Sequence, residues 1–166
     1  MKVIGYYLGV FVFKSAFDLL YERVKKVSYE CNEKGDHGEV SYFVQEYIRA
    51  CEVIEDPALF INFIVERNYF NDPASIKYHG AWSGGLMCHS VRVLYHALRL
   101  SLVICDLENV NCDSLVLSCS FHDISKMGSY KVVKRNTKDE VTGEWIQVNK
   151  YDKLTNKNPL YRYMID

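Results

Sequence analysis

A histidine–aspartate pair, His122-Asp123, directly follows the apolar segment Leu115–Phe121. Neither side chain belongs in a core without a partner, because an unpaired polar or charged group in an apolar interior is costly. A second apolar segment carries His89, 33 residues earlier in the chain. If the two segments pack together, they can present two imidazole nitrogens and a carboxylate oxygen to one divalent metal ion. The sequence therefore favours a fold in which these segments are neighbours.

Helical periodicity covers most of the chain and predicts a mainly α-helical bundle of five or six helices. Asp56-Pro57 is typical of a helix start, with Asp as N-cap and Pro at the first helical position. The fifth helix is apolar on almost all sides, which predicts a central position in the bundle. The predicted helices cover residues 14–30, 41–54, 57–68 and 86–103, and a fifth runs from Asn111 or Asp113 to near Gly128.

The pattern changes after the fifth helix. Tyr130–Lys134 and Trp145–Asn149 have the composition of β-strands, and the polar connection 137–144 contains Thr142-Gly143, which suits a turn. We therefore predict one domain over residues 1–166, in which a β-hairpin insert at 129–151 follows the helical core of residues 76–128. An insert at this point could overhang a site formed by the preceding helix.

Charge excludes a general attraction to polyanions. The chain has 20 Lys and Arg against 21 Asp and Glu, a net charge of −1, so no global pull toward nucleic acid or an anionic membrane follows. A local basic strip at Lys126, Lys131, Lys134 and Arg135 remains one interpretation. A solvated surface of mixed charge is the other.

The cysteines favour a reduced, cytoplasmic protein. Of the six, Cys88 and Cys119 lie within apolar helical patterns, and no Cys-x-x-Cys pair occurs. Free cysteine behaves as a small buried apolar residue, and this placement does not fit a secreted disulfide scaffold. Cys105 and Cys112 flank a loop and could approach each other.

The apolar run Val3–Phe13 is too short to cross a bilayer as a helix, so no membrane span is predicted. It mimics a short signal peptide, but Lys14 interrupts the transition to small residues. A buried first helix or strand is the favoured interpretation.

Two further motifs precede the first histidine-bearing helix. Tyr78-His79-Gly80-Ala81-Trp82 lies in a predicted loop, and the helix opens as Gly84-Gly85-Leu86 before reaching His89. Together with the His-Asp pair, these features resemble the HD-domain metal-dependent phosphohydrolases, in particular those of bacteria and phages. The resemblance covers roughly residues 76–151 and implies an HD-type helical bundle, here with an appended β-hairpin.

The resemblance implies that His89, His122 and Asp123 bind a divalent metal ion together with a later aspartate. The ion activates water, and a phosphate ester or nucleotide is hydrolysed. Two imidazoles and a carboxylate suit Mn, Fe, Ni, Co or Zn better than Mg, which prefers oxygen ligands. We expect the three side chains to converge so that one ion lies at roughly 2.0–2.3 Å from each.

The later aspartate is where this chain departs from the family pattern. Only Asp139, Asp152 and Asp166 follow the doublet, and none lies in a convincing apolar helix. The chain is therefore a shortened or degenerate member, or a carboxylate from elsewhere replaces the missing ligand.

Two more residues are candidates for catalysis. Lys126 lies one turn beyond Asp123 and can hold a substrate phosphate; alternatively it is an ordinary lysine near a helix end. His79 can act as a general acid or an extra ligand, or it can be a loop histidine without such a role. Arg92 and His96 share a helix face with His89 and are weaker candidates, and His37 is assigned no role.

Three functions remain open from the sequence. The first is a metal-dependent phosphohydrolase acting on a nucleotide or nucleic-acid phosphate ester. The second is a degenerate HD domain that binds a nucleotide or a protein partner without turnover. The third is a purely structural helical protein. Metal content separates the first two from the third.

Overall fold

The computed structural model describes residues 3–7, 10–33, 35–104 and 110–154, with side chains from residue 15 onward. The prediction of a mainly helical fold with an appended hairpin is confirmed: five α-helices lie within these ranges. None of those helices is long and apolar enough to cross a membrane. The elements are β1 Val3–Tyr7, β2 Val10–Lys14, α1 Ala16–Glu30, α2 Gly38–Ala50, α3 Pro57–Glu66, α4 Gly85–Ile104, α5 Cys112–Phe121, a 3-10 turn Ile124–Lys126, β3 Tyr130–Lys138 and β4 Trp145–Lys153.

The N-terminal apolar run forms two strands rather than the single helix or strand expected from its sequence. β1 and β2 pair antiparallel, with Val3 opposite Lys14 and Tyr7 opposite Val10. The run is rich in β-branched and aromatic residues, which favour strands, and Leu8-Gly9 separates the two halves. A short apolar run does not reveal by itself that it is folded back on itself.

Side-chain caps fix several helix starts. The Asp56 carboxylate accepts the Leu59 backbone N–H at 2.9 Å, so the predicted start of α3 is confirmed. At α5, Asn111 rather than Asp113 is the cap, accepting the Ser114 N–H at 2.9 Å. α2 ends at Ala50, four residues earlier than predicted. The tight turn that follows leads into Asp56-Pro57, and the residue before a proline disfavours helix.

The central helix is α4, not α5. Nine residues of α4 are buried, since it packs against α1, α2 and α5. In α5 only Val116 and Ser120 are buried, so the prediction that α5 lies at the centre of the bundle is wrong. The remaining apolar residues of α5 are half-buried under neighbouring side chains, among them Phe60, whose ring meets Phe121 edge-on at 5.0 Å. α5 is apolar on almost all sides because neighbouring side chains partly bury it on several sides, and not because it lies at the centre of the bundle.

One buried tyrosine fixes the end of α5. Tyr69 is fully buried in the loop after α3, and its hydroxyl donates to the Ser120 carbonyl at 2.6 Å. Its ring packs at 5.5 Å from that of Phe121. Because Ser120 and Phe121 immediately precede His122, this contact sets the position from which the histidine–aspartate pair leaves the helix.

The predicted hairpin is confirmed, although each strand extends four residues beyond its predicted end. β3 and β4 pair antiparallel from Tyr130 opposite Lys153 to Lys138 opposite Trp145. At the far turn, the Asp139 N–H donates to the Glu144 carbonyl at 2.8 Å. At the base of the hairpin, the Leu154 N–H donates to the Ser129 carbonyl at 2.9 Å. Most side chains on both faces are exposed. We call residues 130–153 the arm.

The described cysteines are free thiols, and the expectation of a reduced protein stays a prediction. They are Cys31, Cys51, Cys88, Cys112 and Cys119, and the first three are buried. The predicted proximity of Cys105 to Cys112 lies outside the described residues.

Replacing Tyr69 by Phe tests the contact that fixes α5. The change leaves the Ser120 carbonyl without its buried donor, so we expect the free energy of unfolding to fall by about 1–2 kcal/mol. Tyr29→Phe is the matched control, because Tyr29 is 71% exposed. Urea unfolding followed by circular dichroism measures both variants. Equal midpoints for wild type and Tyr69→Phe would contradict the role assigned to this hydroxyl.

Candidate metal centre

Two glycines place the first histidine-bearing helix against the loop that precedes it. A Cβ on Gly85 would lie 2.0 Å from the Gly80 carbonyl oxygen, so only glycine permits this approach. Gly84 has a φ of +82°, in the left-handed region that favours glycine. The predicted Gly84-Gly85 helix opening is therefore confirmed, and it holds the His79 loop against the first turn of α4.

The histidine–aspartate pair lies beyond α5, and the predicted extension of that helix to near Gly128 is wrong. α5 ends at Phe121, the 3-10 turn Ile124–Lys126 follows, and Gly128 has a φ of +63°. Within an α-helix, neighbouring side chains point about 100° apart. His122 keeps helical dihedrals (φ −56°, ψ −31°), whereas Asp123 departs from them (φ −104°, ψ 19°), and the Asp123 carboxylate lies 3.3 Å from His122 Nε2.

Three side chains converge there, as the sequence predicts. His122 Nε2 lies 3.3 Å from His89 Nε2 and 3.3 Å from Asp123 Oδ2, and His89 Nε2 lies 3.4 Å from that oxygen. Ligands held about 2.0–2.1 Å from an ion in tetrahedral geometry are about 3.3–3.4 Å apart. The spacing of the three atoms therefore fits one face of a tetrahedral site. No other such trio of His, Cys, Asp or Glu occurs in the described ranges. Metal binding itself stays a prediction.

Both imidazoles offer Nε2 as a ligand atom. His122 Nδ1 lies 2.8 Å from the Cys119 carbonyl, to which it must donate, so its Nε2 carries the free lone pair. Burial and the neighbouring His79 lower the pKa of His89, which keeps this ring neutral. Histidine ligands in metal proteins are commonly oriented by such a bond to the second ring nitrogen.

His79 lies beside the trio. Its ring centroid is 4.7 Å from that of His89, so the structure brings this candidate to the site although it is not one of the three converging ligands. The space that His79 and His89 share with Arg92 is only about 20 Å³, enough for roughly one water. A substrate must therefore approach from another side of the trio.

Lys126 reaches the site through Asp123. Its Nζ lies 2.6 Å from Asp123 Oδ2, the same oxygen that faces the two histidines. The predicted proximity of Lys126 and Asp123 is confirmed, while a role in phosphate binding stays a prediction. An ion at this centre would compete with the ammonium group for that oxygen.

The later aspartates that the structure describes are engaged elsewhere. Asp139 Oδ1 accepts the N–H groups of Val141 and Thr142 in the hairpin turn, at 2.9 and 2.8 Å, and these bonds lower its pKa. Asp152 accepts from Arg135 at 2.9 Å. Neither belongs to the converging group. The third, Asp166, lies outside the described residues.

The weaker candidates stay apart from the trio or have other partners. Arg92 is exposed and donates to the Cys31 carbonyl at the end of α1. His96 is exposed on α4 and packs its ring against Tyr95, centroids 5.7 Å apart. His37 precedes α2, and its Nε2 lies 2.7 Å from the Asn32 carbonyl.

Sequence reasoning missed Asp72, which ties the two ligand-bearing segments together. Its carboxylate accepts the Gly128 N–H at 2.6 Å, and its carbonyl accepts the Leu86 N–H at 2.9 Å. Burial raises the pKa of Asp72 to about 6. The sequence marked Asn71-Asp72-Pro73 only as a helix break. Partners 14 and 56 residues away leave no local pattern that would reveal this role.

Comparisons with protein-family models, curated proteins and solved structures found no match to this chain. The case for an HD-type centre therefore depends on the residues of the site and their geometry.

Asp72→Asn tests the buried carboxylate through the pH dependence of stability. In the wild type the folded pKa lies above the ordinary value near 3.9, so folding favours the protonated form. The stability this provides is fully present below about pH 4 and is lost as the pH rises through about 6. Asparagine keeps an oxygen for Gly128 without the charge. We expect it to raise the free energy of unfolding by about 1–3 kcal/mol at pH 7.5.

Urea unfolding at pH 4.5 and 7.5, in a chelator, measures this effect. The gain in stability should shrink markedly at the lower pH. A destabilised Asp72→Asn protein at pH 7.5 would show that the charged carboxylate is needed for the tether.

Proposed function

We propose that this chain is an HD-type metal-dependent phosphohydrolase that cleaves a phosphate ester of a nucleotide or nucleic acid. The observation that carries the proposal is the convergence of His89 Nε2, His122 Nε2 and Asp123 Oδ2 at separations of 3.3–3.4 Å. Two imidazoles with one carboxylate favour Zn, Mn, Fe, Ni or Co over Mg. Three protein ligands with an open position are typical of catalytic rather than structural centres.

Each residue near the centre has a defined task in this proposal. When bound, the ion lowers the pKa of water and polarises a phosphate oxygen. Hydrogen bonding to the Cys119 carbonyl orients His122 toward the ion. His79, in the loop beside His89, acts as the general acid for the leaving oxygen through the one water that the space it shares with His89 can hold. Lys126 contacts a substrate phosphate as a point charge once its ammonium leaves Asp123.

The second candidate is a degenerate HD domain that binds a nucleotide or a protein partner without turnover. Within residues 124–154 no further aspartate joins the trio, and Lys126 already neutralises the Asp123 carboxylate. These two observations favour binding without catalysis. Turnover by metal-loaded protein distinguishes the two candidates.

Elemental analysis of the purified protein, with a hydrolysis screen, tests the proposal. After chelator treatment and addition of Mn or Ni, the screen covers bis-p-nitrophenyl phosphate, nucleotides and oligonucleotides. We expect His89→Ala and His122→Ala to lose the metal and the activity together. His96→Ala is the matched control on the same helix and should keep both, because His96 lies outside the trio. A wild type that neither binds metal nor hydrolyses any substrate would rule the proposal out.

Lys126→Ala separates phosphate binding from metal binding. Removing the ammonium leaves Asp123 free for the ion, so Mn²⁺ should bind as well as in wild type or up to about 5-fold more tightly, as expected for a partly exposed ion pair. The KM for substrate should rise, while stability changes by no more than about 0.5 kcal/mol. Isothermal titration with Mn²⁺ and initial rates at low substrate concentration measure the two effects. An unchanged kcat/KM would return Lys126 to the role of an ordinary helix-end lysine.

A further inference from the structure

Positive charge is concentrated on the arm. Its two strands contain six cations, Lys131, Lys134, Arg135, Lys138, Lys150 and Lys153, and one acid, Asp152. The strands therefore carry a net charge of +5, and the turn between them adds Asp139, Glu140 and Glu144, so the whole arm carries +2. Because the whole chain has a net charge of −1, the residues outside the arm carry −3. The positive charge of the arm is therefore carried by its paired strands, whose lysines are exposed, while the turn at its far end is acidic.

Most of this charge has no acidic partner. Among the described residues, Arg135 is the one arm cation that forms an ion pair, with Asp152 at 2.9 Å. A surface of mixed charge would pair lysines with acids along both strands. The pattern instead leaves five lysines available to a polyanion.

Two exposed aromatic rings accompany the lysines. Trp145, at the far end of the arm, is 69% exposed, and Lys138 Nζ lies 5.6 Å from its ring centroid. Tyr78 is 75% exposed, with Lys77 Nζ 5.6 Å from its ring centroid. Lysines interleaved with exposed aromatic rings are typical of surfaces that bind single-stranded nucleic acid, where bases stack on the rings and phosphates contact the cations.

A basic cleft lies between the arm and the loop that carries His79. It has a volume of about 480 Å³ and lies between the arm and the loop 76–81, with Lys77, Arg135 and Lys150 in its lining. The same loop carries His79, whose ring packs against that of His89. One loop therefore borders both the cleft and the trio.

We propose that the arm and the cleft bind single-stranded nucleic acid and lead its backbone toward the metal centre. The inference rests on the proposed function for the chemistry and narrows its substrate to a polymer rather than a free nucleotide. A duplex fits less well, because its bases are already stacked and cannot cover Trp145 and Tyr78. An acidic protein would use the lysines but not the exposed rings.

The binding test uses fluorescein-labelled dT20 and fluorescence anisotropy in the presence of a chelator. We expect Lys77→Ala/Lys150→Ala to weaken binding at least 10-fold at 50 mM salt. The association constant K should also depend less steeply on salt. The magnitude of the slope of log K against log salt concentration should decrease by about 1.4, which corresponds to two lost phosphate contacts on a single strand. The matched control, Lys25→Ala/Lys26→Ala on α1, removes the same charge and should change neither value.

Trp145 provides a second readout. Stacking of a base on its ring should quench the tryptophan fluorescence when dT20 is added. Trp145→Phe should bind dT20 within about 2-fold of wild type but lose this quenching. Trp145→Ala should bind at least 5-fold more weakly, which is the low end of the effect of losing one stacked base.

Several outcomes would overturn the inference. The first is that wild type does not bind dT20 at low salt. The second is that the two lysine double variants lose the same amount of affinity for dT20. The third is that wild type binds duplex DNA or phosphatidylserine vesicles more tightly than dT20. Wild type that binds dT20 but hydrolyses no substrate with metal would overturn the proposed function and support this inference.

Discussion

A buried carboxylate holds the two halves of the site together. Asp72 receives the Gly128 N–H on its side chain and the Leu86 N–H on its carbonyl, so one residue joins the start of α4 to the segment that follows α5. His89 lies one turn into α4, and His122 and Asp123 lie a few residues before Gly128. Without this tether, the two segments would still pack through their apolar faces. The register between them, and with it the spacing of the ligand atoms, would be less tightly fixed.

The cost of this tether is electrostatic. Asp72 is 6% exposed, and burial raises its pKa to about 6, so at neutral pH the protein keeps a charge in a poorly solvated place. The bond from Gly128 offsets only part of that desolvation. Proteins commonly accept such a local loss of stability where it fixes the geometry of a site. We interpret Asp72 as a residue retained for position rather than for stability.

The features of the fold and site that depend on neighbouring residues in the sequence were predictable. Those that depend on contacts between distant residues were not. The start of α3 followed from Asp56-Pro57, the start of α4 from Gly84-Gly85, and the hairpin from strand composition around Thr142-Gly143. The convergence of the trio followed from the resemblance. The end of α5 did not, because Phe121, Ile124 and Met127 continue a helix-like spacing of apolar residues, with no proline or glycine before Gly128. The central place of α4 depends on three neighbouring helices, and no single segment encodes it.

The pairing of Lys126 with Asp123 Oδ2 means that the metal-free centre already contains its own counter-ion. When a metal ion binds, it replaces the Lys126 ammonium group at Asp123. The net charge at the trio therefore rises by less than the full charge of the ion, because one positive charge is displaced. The displaced ammonium remains tethered to the 3-10 turn and stays within a side chain's length of the centre. It becomes free to meet an anion only after that exchange. We therefore expect an order of events in which the phosphate group follows the ion.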